Sequence, residues 1–202
     1  MSAAADRIPP MAEGYRYDAF VSYSRSGVAR EWVENHFWPL LEQALSLHRP
    51  TQLFVGRDPE TGQAWPEHTA DALARSRCLI SILSPSYFRS PWCVSELESF
   101  LERERRFMTQ PGSLILPVAM SGTAHFPREM QERQAASFQQ WAVPFQHFRQ
   151  SSSYHDFLTA VNRFCEPLIA RIESAPPWSP DFPIVRRETV AAPDAPVLFP
   201  RL

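Results

Sequence analysis

Two rhythms of apolar residues alternate along this chain of 202 residues. The run "YDAFVSY" (Tyr17 to Tyr23) is apolar and β-rich, and the following "REWVENHFWPLLEQALSL" carries Trp32, Phe37, Leu40, Leu41 and Ala44 at helical spacing. A strand is therefore predicted to lead into a helix. "TQLFV" gives a second short strand, closed by the turn-rich "GRDPETGQAW", and "PEHTADALARS" a helix opened by Pro66 at a first-turn position. "CLISILS" is almost continuously apolar or β-branched, the pattern of a strand covered on both faces. A helix beginning near Pro91 runs into the charged "ERERRF", and "SLILPVAM" supplies a fourth buried strand.

Beyond that point "FPREMQERQAASF" predicts a short helix and "QQWAVPF" a short fifth strand. "YHDFLTAVNRFCEPLIARIESA" is a closing helix with Phe157, Val161, Phe164, Leu168 and Ile172 on one face, kinked or ended by Pro167. Strands alternating with helices imply a parallel sheet, because each parallel crossover needs a connection long enough to return across the sheet. The expected architecture is an α/β, doubly wound, open sheet with helices on both faces and any ligand outside the carboxyl ends of the strands. Residues 1–14 read as a flexible N-terminus and 15–175 as the domain. In residues 176–202, seven of 27 positions are proline and neither period survives. This segment is either a linker to a further domain or a strap over the domain anchored by Trp178, Phe182 and Phe199.

Composition narrows the chemistry. All twenty basic residues are arginine, so a P-loop lysine, a Schiff-base lysine and a lysine general base are excluded together. The six glycines form neither a dinucleotide fingerprint nor a Walker loop. The three cysteines, Cys78, Cys93 and Cys165, have no CxxC spacing and read as reduced thiols. The six histidines show no metal spacing, so no metal is expected. A net charge of −2 gives no reason to expect nucleic acid or an anionic membrane as partner. The N-terminal residues lack an apolar signal core and no apolar run reaches membrane-spanning length, so a cytoplasmic location is expected.

Three blocks, "YDAFVSYSR", "FVGRDPETGQAW" and "SRCLISILSPSYFRSPWCVSELESF", together resemble the Toll/interleukin-1 receptor (TIR) domain family, with bacterial members the nearest in pattern. The resemblance spans roughly residues 15 to 172, and the S-x-x-Y-x-x-S-x-W-C-x-x-E-L pattern is its most specific part. It implies a flavodoxin-like fold with five parallel strands. It also implies one of two functions. Animal receptor and adaptor members are mostly self-associating scaffolds; many bacterial and plant members cleave NAD⁺ to nicotinamide and ADP-ribose or a cyclic product. In the enzymatic members the essential residue is the glutamate three places after the cysteine of W-C-x-x-E, which here is Glu96. NAD⁺ would be a substrate, with no cofactor required.

The chemistry asks little of a protein beyond that acid. Nicotinamide leaves as a neutral molecule from a cationic ring, and what needs stabilising is the oxocarbenium-like ribosyl cation, which one carboxylate beneath the ribose can supply. Glu96 and Glu98, two apart on a helix, point about 200° apart and cannot share a site. Glu98 and Glu102 share a face, expected to be the solvated one. The alternative for Glu96 is an acid that complements the helix dipole in the first turn.

Other positions complete the candidate site. Tyr23, Ser24 and Arg25 follow the first strand, where loop amides and a guanidinium can meet a phosphate or ribose; the alternative is a tight turn with an exposed arginine. The loop after the second strand matches the family's BB loop, which gates the pocket and mediates assembly in related proteins. Arg57 there can pair with pyrophosphate, or else with Asp58 or Glu60; Trp65 can stack on a base or pack beneath the loop. Trp92 stands beside the catalytic pattern and, with Cys93, reads as fixing the helix entry. The loop "SRSGVAREW" lacks the aspartate many bacterial relatives carry near the helix start, with Arg30 and Glu31 close by instead. Two functions follow as expectations: an NAD⁺ glycohydrolase or cyclase acting in anti-phage or stress signalling, or a non-catalytic interaction module for signal transduction. A phosphate-receiving regulator on the same fold is set aside, because the first strand lacks the acidic pair and the fourth the lysine.

Overall fold

The computed structural model describes residues 14–25, 27–55, 67–109, 113–122, 124 and 126–187. Five strands, β1 (Tyr17–Tyr23), β2 (Leu53–Val55), β3 (Ser76–Leu83), β4 (Ile115–Ala119) and β5 (Ala136–Ser137), form one sheet. All neighbouring pairs are parallel, in the order β2-β1-β3-β4-β5. The chain steps from β1 outward to β2, then returns to the other side of β1 for β3. The strand order therefore reverses between β1 and β3, where a doubly wound sheet opens a crevice at its carboxyl end.

The first predicted helix is continuous but not uniform: α1 (Val28–Trp32), a π-helical turn (Val33–Phe37) and α2 (Trp38–Ser46). Pro39 accounts for the π turn in physical terms. It has no N–H for the carbonyl of Asn35, and its ring would clash with that carbonyl in an α-helix. The freed Asn35 oxygen is taken instead by the Arg149 guanidinium at 2.6 Å. Helices α3 (Glu67–Ala74), α4 (Pro91–Phe107), α5 (Arg128–Gln131) and α6 (Ser153–Glu173) complete the layers.

Two expectations fail. No strand occupies residues 139–145; the fifth strand is the two residues Ala136–Ser137, inside the stretch read as a helix, of which only Arg128–Gln131 is helical. The apolar signal of "QQWAVPF" comes from a 3-10 turn, Gln139–Trp141, whose Trp141 packs on Phe138 and whose carbonyl accepts the Trp32 indole N–H at 2.6 Å. Of the two readings of Pro167, an end to α6 is excluded, since the helix continues to Glu173.

The short β5 suits Pro117. Leu114 O and Met120 N bond β3, whereas Ala119 O accepts from Phe138 N and Ile115 O from the Arg171 guanidinium on the outer edge. By alternation Pro117 also faces that edge, where its missing N–H breaks no ladder bond.

Each sheet face carries a core. On one face α1, α2 and α6 bury Trp32, Phe37, Phe157 and Phe164 with Phe138, and the Trp32 and Phe37 rings stack at 5.0 Å. On the other, α3 and α4 bury Phe20, Leu79, Leu83, Tyr87, Cys93, Leu97 and Phe100. Each such large side chain taken from water contributes roughly 1.5–3 kcal/mol. Arg103 of α4 is wholly buried in this layer. Its guanidinium donates to Ser76 O at 2.8 Å and Leu73 O at 2.9 Å, tying α4 to the end of α3 and the start of β3. Rings of Phe100 and Phe182 lie 4.1 and 4.2 Å from its guanidinium carbon, and burial lowers its pKa to about 10.

Phe182 belongs to the proline-rich segment. Within residues 176–187, Tyr15 donates to Pro176 O at 2.7 Å, Trp178 lies against Arg75, and Phe182 is only 4% exposed. Phe199 lies outside the described residues.

Candidate functional site

Helix α4 is built to begin where it does. Ser90 is its N-cap, accepting from Cys93 N at 3.4 Å, and Pro91 fills the first position, where a missing N–H costs nothing. The preceding loop is locked by Ser84, whose hydroxyl meets Ser86 Oγ at 2.9 Å and accepts from Tyr87 N, and by a buried hydrogen bond from Ser22 Oγ to Tyr87 Oη at 2.9 Å. The end of β3 is thereby fixed to the end of β1. Glu96 is the sixth residue of α4, and no acid stands in its first turn. It lies past the reach of the dipole, which fades within that turn, so complementing the dipole does not account for it. Its side chain is buried, 5% exposed.

Glu98 points elsewhere, as the spacing required, but it is not simply solvated. Its carboxylate is gripped by the Arg187 guanidinium, Nε lying 2.9 Å from Oε2 and Nη2 against Oε1. Glu102 pairs with Arg105 and Arg106 on the exposed side of the helix.

The first-strand candidates divide between the two faces. Alternation along β1 puts Phe20 and Ser22 on the α4 side, and Ser24, one step past the strand end, follows them and is buried. Tyr23 faces the α1 layer, where its hydroxyl donates to Glu34 Oε1 at 3.0 Å and Arg25 lies over its ring at 5.1 Å. Burial pushes the Tyr23 phenol well above its ordinary pKa. Arg30 also pairs with Glu34, at 3.3 Å. Tyr23 and Arg25 thus make these contacts on the α1 side of the sheet. Trp92 packs half-buried against the α4-side core and Cys93 is buried within it. Arg57, Trp65 and the loop that carries them lie outside the described residues.

A cleft of about 510 Å³ opens at the carboxyl end of the sheet. Its walls are Gly27–Ala29 after β1, Ser84–Ser86 and Arg89 after β3, Met120 and Ser121 after β4, and Ala142. This is the crevice the strand order predicts. Neither Glu96 nor the other described sequence candidates line it. Arg89 and the two serines escaped the sequence reading, though they stand inside the S-x-x-Y-x-x-S pattern, because that pattern was read as a route to Glu96 rather than as a wall. Arg89 is an exposed guanidinium on the rim, suited to an anionic group.

Other chemistries find little support among the described residues. Cys78 and Cys165 are buried, with thiol pKa values pushed by burial to about 12 and about 11, which makes them poor nucleophiles at neutral pH. No group of three His, Cys, Asp or Glu among the described residues is placed to hold a metal ion. No described helix is long and apolar enough to cross a membrane.

The chain is 38% identical over 89 residues to Toll-like receptor 2 of Ovis aries, a stretch that is 41% of this chain and 10% of the receptor. It is 36% identical over 87 residues to Toll-like receptor 2 type-2 of Gallus gallus, again 10% of that protein. Among solved structures, the TIR domain of the Toll-related receptor TRR-2 from Hydra magnipapillata superposes with a TM-score of 0.46 at 20% identity, over 72% of this chain and 98% of that one. A sequence model of the TIR domain family matches residues 19–151, and the chain, with its five-stranded parallel sheet, belongs to that family.

Proposed function

We propose that this TIR domain cleaves the nicotinamide–ribose bond of NAD⁺ through Glu96 and does so when copies associate, in anti-phage or stress signalling. The observation that carries the reading is Glu96 itself, a buried acid in the second turn of α4 within W-C-x-x-E. It stands about 7.5 Å along the helix from its start, and that start lies at the carboxyl end of the sheet. A stability role in the first turn does not explain it, and a buried carboxylate has the stronger field in a low-dielectric setting.

In this reading the C1′–N bond breaks heterolytically and its electron pair goes to the pyridinium nitrogen, releasing neutral nicotinamide. The Glu96 carboxylate stabilises the ribosyl cation. Water then bonds C1′ and loses a proton, giving ADP-ribose; an internal nucleophile of the same molecule gives a cyclic product instead. In this reading the Arg89 guanidinium on the cleft rim pairs with the pyrophosphate.

The second reading, a signalling module without turnover, is favoured by the matched stretch of Toll-like receptor 2. One experiment separates them. Purified chain at high concentration is incubated with NAD⁺ beside Glu96→Ala, and nicotinamide is quantified. Release by the wild type that collapses in the variant supports the enzyme; release that persists in Glu96→Ala removes Glu96 from the mechanism; no release by the wild type leaves the module.

A further inference from the structure

The outer side of α4 is covered by a segment from beyond α6, and the fit is specific at three points. Phe182 enters a pocket made by the Arg103 guanidinium at 4.2 Å, the Phe107 ring at 5.0 Å and the Tyr15 ring at 6.0 Å. Val185 N donates to Ser99 Oγ at 2.8 Å and Arg187 N to Ser95 Oγ at 3.0 Å. The Arg187 fork then closes on the Glu98 carboxylate.

The spacing explains why these groups meet. Serines four apart on a helix are about 6 Å apart along its axis, and N–H groups two apart in an extended chain are separated by about 6.6 Å. Both hydroxyls are already aimed. Ser95 donates to Pro91 O and Ser99 to Ser95 O, each at 2.7 Å, which turns their lone pairs toward the incoming N–H groups. Pro183, one step earlier on the same side of the segment, has no N–H to satisfy. The segment runs antiparallel to α4, from Phe107 back toward the helix start.

Such a groove reads a peptide by an aromatic anchor, two backbone donors and a terminal arginine. Every copy of the chain carries both this groove and a segment that fits it. We propose that the α4 groove is a peptide-recognition site for residues 182–187, filled in cis within one copy and by the same segment of a second copy when chains meet. Reciprocal exchange uses one surface patch and one peptide from each partner, the condition for a closed two-fold dimer. Pro176, Pro177 and Pro180 keep the connecting segment stiff in a length that already spans to the groove, so the resident segment fills it at high effective concentration and exchange requires concentrated chains. The inference rests on the reading that copies associate, and is independent of any chemistry at Glu96.

The test uses a fluorescent peptide of residues 181–187 against the full chain. Phe182→Ala and, separately, Arg187→Glu weaken the resident segment, and either chain is expected to bind the peptide at least ~10-fold more tightly than wild type, whose own segment competes at high effective concentration. A peptide carrying Arg187→Glu loses binding to the Phe182→Ala chain and regains it on Glu98→Arg/Phe182→Ala. Light scattering shows a wild-type dimer that grows with concentration and an Arg187→Glu chain that stays monomeric. Failure of the peptide to bind either folded variant overturns the groove. Wild type that is monomeric throughout, or Arg187→Glu that dimerises equally, overturns the exchange. Arg187 is largely exposed, so its variant folds even if Phe182→Ala does not. Absence of nicotinamide release alongside normal peptide binding and dimerisation removes the catalytic reading and leaves this one standing.

Discussion

Arg133→Met should be among the most damaging single changes outside the apolar cores. Glu104 is 1% exposed and accepts from Arg133 Nη2 at 2.7 Å, from Nη1 at 3.2 Å and from Leu114 N at 2.8 Å. The pair joins α4 to the segment before β5, and the Leu114 bond ties α4 to the start of β4. Methionine fills the volume but removes the counter-charge, leaving a carboxylate in a site with little water. Breaking a buried pair from one side costs about 3–5 kcal/mol, which for a domain of this size lowers Tm by on the order of 10 °C. Glu104→Gln/Arg133→Met removes both charges while the amide oxygen still accepts from Leu114, so the double variant should lie within about 1–2 kcal/mol of wild type. Urea denaturation followed by circular dichroism measures all three chains. A single variant costing under about 1 kcal/mol, or a double variant no more stable than the single, would show that the pair is not the buried, desolvated clamp its geometry describes.

Glu96→Gln should lower nicotinamide release by at least ~100-fold at constant fold, whereas Glu98→Gln changes it only a few-fold; equal effects of the two would refute the division of α4 into an inner and an outer acid. His36, buried in the π turn with Nε2 3.4 Å from Pro144 O, is held below its ordinary pKa first of all by burial. The fold therefore favours its neutral form. The stability contributed is present above about pH 6.5 and is lost as pH falls from there toward the folded value; a thermal-melt series should show this slope, flattened in His36→Gln. Phe182→Ala should cost about 3 kcal/mol and speed amide exchange at Val185 and Arg187; exchange unchanged from wild type would show that Phe182 does not anchor the segment.

The main architecture was legible because it rests on periodicity. "CLISILS" could only be a strand covered on both faces, and the Phe157–Ile172 stripe only a packed helix. The weak region lay beyond β4, where a strand of two residues is too short to show a period and the 3-10 turn at Gln139–Trp141 imitates one. Of the two readings of Pro167, an end to the helix is excluded, because propensity is a local cost that tertiary packing of a 21-residue helix outweighs. At the site, sequence spacing separated Glu96 from Glu98 correctly, since helix geometry alone decides that. Alternation along β1 puts Tyr23 on the α1 side and Ser22 on the α4 side, a division that a run of three named neighbours does not display. Arg187 as the partner of Glu98 had no local signal, because the two are 89 residues apart in the chain.

The π turn at Val33–Phe37 holds one more residue than an α turn would give it. A single extra residue rotates everything before it by about 100° relative to everything after. The Gly27–Ala29 wall of the cleft and the α2 surface packed on α6 are thus set out of phase by an insertion that lies between them. Deleting one residue there would bring the two facets into phase and force a choice between the wall and the core. The helix works as two facets joined by a fixed offset, so the cleft rim can change in sequence without reindexing the buried stripe behind it.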